Sequence, residues 1–192
     1  MLDNFWFHVK LGIDHILDKN GYDHMLFLLV LAVPFIFKDW KRILILVSIF
    51  TLGHTISLVL GAYDIVTVNG KLIEFLIPIT ILVAALYNVF TAGKKNRESK
   101  IDLLMFTTFF FGLIHGLGFA RHLDMISDGS LIFLVEFALG IEIAQVIVVF
   151  IVLFLGFLCQ TIFRLSRRDW IMVLSAIVIG LVIPMIINNN IF

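Results

Sequence analysis

The chain has 192 residues, of which 61% are hydrophobic and 15% are charged, and its mean hydropathy is +1.08. A soluble domain is about half apolar and about a quarter charged, so this composition excludes an ordinary soluble protein. The formal net charge of zero gives no reason to expect nucleic acid as a partner, and a single cysteine, Cys159, excludes an intrachain disulfide or a cage of thiolates around a metal.

Apolar runs long enough to cross a bilayer recur along the whole sequence. Because these runs are continuous rather than alternating, they predict helices and not the strands of a β-barrel. We therefore expect an all-α integral membrane protein that contacts the lipid bilayer. It is expected to form a single membrane domain over residues 1–192, with a bundle of six transmembrane helices preceded by a short amphipathic N-terminal helix.

The N-terminal segment, residues 1–20, mixes apolar and charged side chains. Over residues 4–18 the apolar positions recur at roughly helical spacing, which predicts a short amphipathic helix lying at the membrane interface. His8 and His15 share one face of this helix. We expect His8 to be exposed at the interface and His15 to fold over the outer mouth of the bundle.

Six predicted spans follow this segment and cover most of the remaining chain. The first is short for a membrane crossing. The fifth is too long for one crossing, so we expect it to tilt, to project outward or to break near Gly140. The spans are 23–37, 42–61, 72–92, 102–121, 131–163 and 170–187.

The basic residues predict the orientation of the bundle. Ten of the fourteen Lys and Arg residues lie in three connectors, KDWKR (38–42), GKKNRESK (93–100) and RLSRRD (164–169). Because positively charged loops stay in the cytoplasm, we expect these connectors inside and both termini outside. The remaining basic residues lie on the opposite side and are Lys10, Lys19, Lys71 and Arg121.

Ionisable residues from four separate segments fall at a similar depth. With a rise of about 1.5 Å per residue, His54 and His115 lie roughly 18–20 Å above the cytoplasmic ends of their spans. Glu142 lies about 16 Å below the outer end of its span, and Asp23 and His24 begin the first span on the outer side. In a hydrocarbon core about 30 Å thick, these residues share the outer layer. Since charged groups are costly in a bilayer, we expect them to face the bundle interior and to pair.

Imidazoles and carboxylates together form a ligand set for a divalent transition metal such as Ni, Co or Zn. The candidate metal ligands are His15, Asp23, His24, His54, His115 and Glu142. Asp23 and Glu142 are also the candidate catalytic groups if the protein is an enzyme.

The first two motifs, GYDH and FTLGHT, each contain a candidate metal-ligating histidine. In GYDH (21–24), Asp23 is interpreted either as a plain helix N-cap or as a carboxylate that orients His24. In FTLGHT (50–55), His54 shares a helix face with two threonines. It is interpreted either as a metal ligand or as a packing residue bonded to a helix carbonyl or a threonine.

The other two motifs lie in the fourth and fifth spans. FGLIHGLGFA (111–120) places His115 among three glycines, which indicate either close helix packing or a backbone drawn around a bound group. We favour a ligand role for His115. In GIEIAQ (140–145), Glu142 and Gln145 meet on one face, either as a simple hydrogen-bonded pair or with Glu142 as a metal ligand or proton acceptor.

These motifs resemble, in the same order, those of the HupE/UreJ family of bacterial membrane proteins, and they are most similar to its shorter branch. The stretches that carry the resemblance are GYDHMLFLL, FTLGHTISL, FGLIHGLGFA and GIEIAQ, and together they cover nearly the whole chain. Members of the family have been linked to nickel or cobalt uptake. The resemblance therefore implies a metal permease of the bacterial inner membrane, where the orientation given above places both termini in the periplasm.

The resemblance also implies the residues of the metal site. His15 matches a family histidine upstream of GxDH, with two additional residues between them, and Thr55 stands where the family has a serine. The histidines and acids shared with the family are Asp23, His24, His54, His115 and Glu142.

Three functions are compatible with these residues. A transporter would pass a divalent cation from His15, Asp23 and His24 to a site among His54, His115 and Glu142. An intramembrane zinc hydrolase would use Asp23 or Glu142 as general base on a lipid or membrane-anchored substrate, and the one-sided depth of the residues suits it. A structural membrane protein would bind no metal. The sequence shows no polar path through the cytoplasmic half, and it leaves open whether copies associate into a homo-oligomer.

Overall fold

The computed structural model describes residues 2–18, 21–94, 101–123 and 130–189, and these contain seven α-helices and no strand. Lys19 and residues 95–100 of the second basic connector lie outside the described residues. A short 3-10 helix, Phe37–Asp39, precedes the third α-helix. The all-α class is thereby confirmed. The helices are α1 (Leu2–Ile16), α2 (Asp23–Ala32), α3 (Trp40–Ala62), α4 (Gly70–Thr91), α5 (Ile101–Leu123), α6 (Leu131–Thr161) and α7 (Arg167–Asn188).

Within the described residues, α3 to α7 are the five helices long and apolar enough to cross a membrane, as expected for a multi-pass membrane protein. The predicted first span, 23–37, is wrong in length because α2 ends at Ala32. Pro34 follows and lacks the N–H that would continue the helix. At about 1.5 Å per residue, α2 covers about 15 Å, which is half of the hydrocarbon core. The bundle therefore has five long helices and one half-length helix.

The long helix α6 is continuous over its 31 residues and does not break at Gly140. Gly140 is instead the point at which α1 crosses α6. A Cβ on Gly140 would overlap the carbonyl oxygen of Val9, and a Cβ on Gly12 would overlap that of Phe137. The two glycines let the backbones touch, so α1 packs directly on α6 with Val9 and Ile16 buried.

A second close crossing joins α3 to α5, which form the most extensive helix pair. A Cβ on Gly112 would overlap the carbonyl oxygen of Phe50, and a Cβ on Gly53 would overlap that of Phe109. Small residues at such a crossing allow the backbones to approach closely. This contact fixes the relative positions of the two helices that carry FTLGHT and FGLIHGLGFA.

The described parts of the three basic connectors meet at one end of the bundle. Arg167 donates from Nη2 to the carbonyl oxygen of Pro34 at 2.6 Å. The side chain of Arg168 lies against Gly93. We call this end, formed by residues 33–39, 92–94 and 162–168, the basic end. The helices α2, α4 and α6 run toward it, and α3, α5 and α7 run away from it.

Candidate metal centre

Asp23 and His24 are positioned by the start of α2. The helix begins at Asp23, and its N-cap is Tyr22, which makes no side-chain capping bond, so Asp23 is not the N-cap. The Asp23 carboxylate accepts from the backbone N–H of His24 at 2.9 Å and lies 3.0 Å from Nδ1 of the same ring. The first N–H groups of a helix have no partner within the helix, so the carboxylate folds over the helix start and reaches its neighbour.

Four histidines from four helices converge beside this helix start. His24 lies at their centre, with its ring centroid 4.6 Å from that of His15, 5.6 Å from that of His54 and 5.2 Å from that of His115. His24, His54 and His115 are buried, and His15 is half-buried. We call these four residues the histidine cluster. They come from α1, α2, α3 and α5 and lie in the half of the bundle away from the basic end.

The donor atoms form two overlapping groups that share His24. One group contains His15, His24 and His54, and the other contains Asp23, His24 and His115. In each group the potential ligand atoms lie within 4.8 Å of one another. Nitrogens bound at about 2.1 Å to one ion are at most about 4.2 Å apart, so small side-chain movements would close either group.

We assign the bare nitrogen of His115 from the hydrogen-bond geometry of Thr80. The Thr80 hydroxyl donates its one hydrogen to the carbonyl oxygen of Ile77 at 2.7 Å. Thr80 Oγ1 is also 3.1 Å from Nε2 of His115, so here it accepts, and the ring carries its hydrogen on Nε2. The lone pair of His115 is therefore on Nδ1. The Asp23 carboxylate has no hydrogen to donate, so it accepts from Nδ1 of His24 and leaves Nε2 of His24 bare.

The bare nitrogens of His24 and His115 are buried without a hydrogen-bond partner among the described residues. Both ring nitrogens of His54 also lack a partner there, and in the neutral ring one of the two is bare. A buried polar atom left unpaired costs about 1–3 kcal/mol, so such atoms need a reason. Neutral imidazole nitrogens are ligands for divalent transition metals, and their opposite nitrogens are commonly held by a carboxylate or another acceptor. The residues present fit such an ion.

Aromatic rings close the histidine cluster on its two sides. Toward the basic end, Phe27 and Phe50 stack with centroids 4.7 Å apart, and the His115 ring lies 5.4 Å and 5.3 Å from them. On the other side, His15 lies 4.1 Å from Phe119. The cluster is therefore enclosed by apolar walls, which strengthen electrostatic interactions inside it.

The carboxylate of Glu142 is hydrogen-bonded to hydroxyl groups of α3. The hydroxyls of Ser48 and Thr51 donate to its two carboxylate oxygens, and Thr51 Oγ1 is 2.8 Å from Oε1 of Gln145. Neither group of potential ligands among the described residues includes Glu142. Thr51 precedes His54 by one helical turn, so the structure places Glu142 on the seam between α3 and α6, closer to the basic end.

Two polar pairs were missed by the sequence argument. Thr80, the partner of His115, is the one hydroxyl in the apolar run 75–86 of α4, which was its only signal. His8 was expected to be exposed. It is partly buried, and its Nδ1 lies 2.6 Å from Oε2 of Glu136. This pair fastens α1 to α6 beside the glycine crossing.

The glycines around His115 serve close helix packing, and the alternative of a backbone drawn around a bound group stays a prediction. A Cβ on Gly116 would overlap Ser57 Oγ and the His54 carbonyl on α3, and a Cβ on Gly118 would lie 2.9 Å from Ile77 on α4. His115 thus sits where α5 is held against both neighbours.

Comparison with known proteins identifies a family. The family model described as "HupE / UreJ protein" matches residues 1–189, which is essentially the whole chain. No curated protein and no solved structure matches the chain.

Proposed function

We propose that this chain, which belongs to the HupE/UreJ family, is a permease that carries a divalent transition-metal cation across the bacterial inner membrane. The family is associated with nickel and cobalt uptake, which makes Ni²⁺ or Co²⁺ the proposed cargo. The basic end faces the cytoplasm in this proposal, and both termini face the periplasm.

The observation that carries the proposal is the set of bare, buried imidazole nitrogens. His24, His54 and His115 come from three helices, and their unpaired nitrogens lie in one apolar enclosure. Asp23 and Thr80 hold the opposite nitrogens of two of these rings. Such a set binds a soft or borderline cation through nitrogen and disfavours Mg²⁺ and Ca²⁺, which prefer oxygen.

The cation would reach the histidine cluster beside α1. A cavity of about 310 Å³ there is lined by Asp14, His15 and Asp18, together with Phe119 and aromatic residues of α6. Carboxylates at such a mouth attract cations. His15 lines this cavity and belongs to one group of potential ligands, so it would hand the cation to His24 and His54.

The arrangement of the donors favours transport over an intramembrane zinc hydrolase. A hydrolase needs one fixed zinc with an open position for water and a general base beside it. Here the potential ligands form two groups of three that share His24, and the Asp23 carboxylate is hydrogen-bonded to His24. Transport needs a cation that binds and leaves, and overlapping ligand groups that share His24 suit that exchange.

Metal binding by the purified protein tests the proposal. We expect Ni²⁺ or Co²⁺ to bind exchangeably and radiolabelled Ni²⁺ to accumulate in proteoliposomes. His54→Ala and His115→Ala are expected to abolish both, and His8→Gln, a matched change outside the cluster, is expected to preserve both. Binding that survives both alanine variants would refute the site. Tightly held zinc without flux would instead support the hydrolase.

A further inference from the structure

Three helices present continuous inward faces that lead from the histidine cluster toward the basic end. On each helix the residues recur at helical spacing, so they line one side. Each face begins with a polar residue at the cluster and then becomes apolar, and two of the three become polar again. The faces are His24, Phe27 and Leu31 on α2, Thr80, Ala84 and Asn88 on α4, and His115, Phe111 and Thr108 on α5.

A cavity of about 130 Å³ lies between these helices on the side of the basic end. Phe27, Leu31, Ala84, Asn88, Thr108 and Phe111 are among its lining residues. One water requires roughly 10–15 Å³ of such space, so the cavity has room for several waters. Its walls include the cytoplasmic thirds of α4 and α5 and the short helix α2.

A single layer of aromatic rings separates this cavity from the histidine cluster. The Phe27 ring lies 5.4 Å from His115 on one side and borders the cavity on the other. Phe50 stacks on Phe27 at 4.7 Å, and Phe111 lies 6.0 Å away. The Phe27 ring therefore lies between the histidine cluster and the cavity.

The polar residues beyond this layer are buried at a depth where polar groups are costly. Asn88 and Thr108 each expose only 2% of their surface. Asn88 donates from Nδ2 to the carbonyl oxygen of Val30 on α2 at 2.7 Å. Polar groups in a membrane bundle commonly mark an ion pathway or a water-filled space. Asn88 and Thr108 lie between the histidine cluster and the basic end.

We propose that the cation leaves the histidine cluster between α2, α4 and α5, past the ring of Phe27, and that the cavity at Asn88 and Thr108 is its exit chamber. The inference rests on the proposed permease function and adds its second half.

Filling the chamber tests the path without touching the histidines. Ala84→Leu adds bulk inside the cavity, and Ala176→Leu adds the same bulk on the exposed surface of α7. We expect Ala84→Leu to bind Ni²⁺ as the wild type does but to lower flux into proteoliposomes by at least about tenfold, which corresponds to about 1.4 kcal/mol of added barrier. Ala176→Leu is expected to leave both unchanged.

Water access to the chamber is tested by thiol labelling in a Cys159→Ser background. Thr108→Cys is expected to react with a charged thiol reagent applied from the side of the basic end. Ser175→Cys is the matched control, since Ser175 is a buried hydroxyl of α7 outside the cavity, and it is expected to remain unlabelled.

The outcomes separate the exit path from the proposed function. Wild-type flux by Ala84→Leu, or an unlabelled Thr108→Cys in protein that binds and transports Ni²⁺, would overturn the path and leave the permease intact. A wild-type protein that binds no metal, or binds it without any flux, would overturn the permease and the path with it.

Discussion

The partner on the far side of each imidazole ring decides which nitrogen faces the centre of the cluster. Thr80 accepts from Nε2 of His115, and the Asp23 carboxylate accepts from Nδ1 of His24. A metal binds only the bare nitrogen, so these two residues set the ligand atoms without being required as ligands themselves. Thr80 can do so because its own hydrogen is committed to Ile77.

Replacing Thr80 tests this role. Thr80→Val keeps the volume and removes the acceptor, so the His115 ring loses its fixed orientation, and we expect affinity for Ni²⁺ to fall about 10–100-fold. Thr80→Ser is expected to restore it. Thr91→Val on the same helix is the control, because the Thr91 hydroxyl donates to the Tyr87 carbonyl of its own helix and has no other hydrogen-bond partner among the residues that the structure describes. Titration calorimetry measures all four proteins, and equal affinities for Thr80→Val and wild type would refute the role.

The sequence predicted the histidines more successfully than their surroundings. Counting residues along a helix gives depth, and that was enough to expect His24, His54 and His115 at one level. Depth does not give the rotation of a helix about its axis, which depends on its packing partners. Glu142 was therefore grouped with the histidines but faces Ser48 and Thr51. The roles of the histidines and of Glu142 as metal ligands stay a prediction.

At the scale of helices, glycine contacts set the distances between the elements that carry the site. Gly112 brings α5 against α3, and Gly140 brings α6 against α1. The apolar runs predicted α3 to α7 well because a bilayer imposes both length and composition. The end of α2 and the crossing of α1 were not predicted, because Pro34 and Gly140 act through local backbone geometry that hydropathy does not report.

Adding a methyl group at the α3–α5 crossing tests this packing. A Cβ on Gly112 would collide with the Phe50 carbonyl, which is backbone and cannot rotate away, so Gly112→Ala is expected to destabilise the fold by about 1–3 kcal/mol. Gly180 has nothing within 4 Å of the same position. Gly180→Ala is expected to be neutral or to stabilise the fold by up to about 1 kcal/mol. Thermal unfolding in detergent measures both, and matching values would argue against the close contact.

At the scale of the whole molecule, the bundle has two chemically different ends. The basic end collects the described parts of the three connectors, and the histidine cluster lies in the opposite half. In a membrane, this asymmetry determines the orientation of the bundle, because basic loops are retained in the cytoplasm. The cluster would then face the outer side, where an incoming cation arrives.

Cysteine labelling of intact spheroplasts tests this direction. In a Cys159→Ser background, Thr67→Cys places a thiol in the exposed connector between α3 and α4, and Ser166→Cys places one in an exposed position at the basic end. A membrane-impermeant maleimide is expected to label the first in intact cells and the second only after lysis. The reverse pattern would invert the proposed orientation and make the chamber at Asn88 an entrance.

A cation bound at the histidine cluster joins helices that the chain connects only through loops, so binding should stabilise the whole bundle. At a free Ni²⁺ concentration about 100 times Kd, binding to the folded state adds about 2.7 kcal/mol, which corresponds to roughly 5–10 °C in Tm for a chain of this size. We expect this shift in the wild type and in His8→Gln, and no shift in a protein carrying both His54→Ala and His115→Ala. Mg²⁺ is the control ion, since it prefers oxygen ligands. An equal shift with Mg²⁺, or in the double variant, would mean that the ion stabilises the protein from some other place.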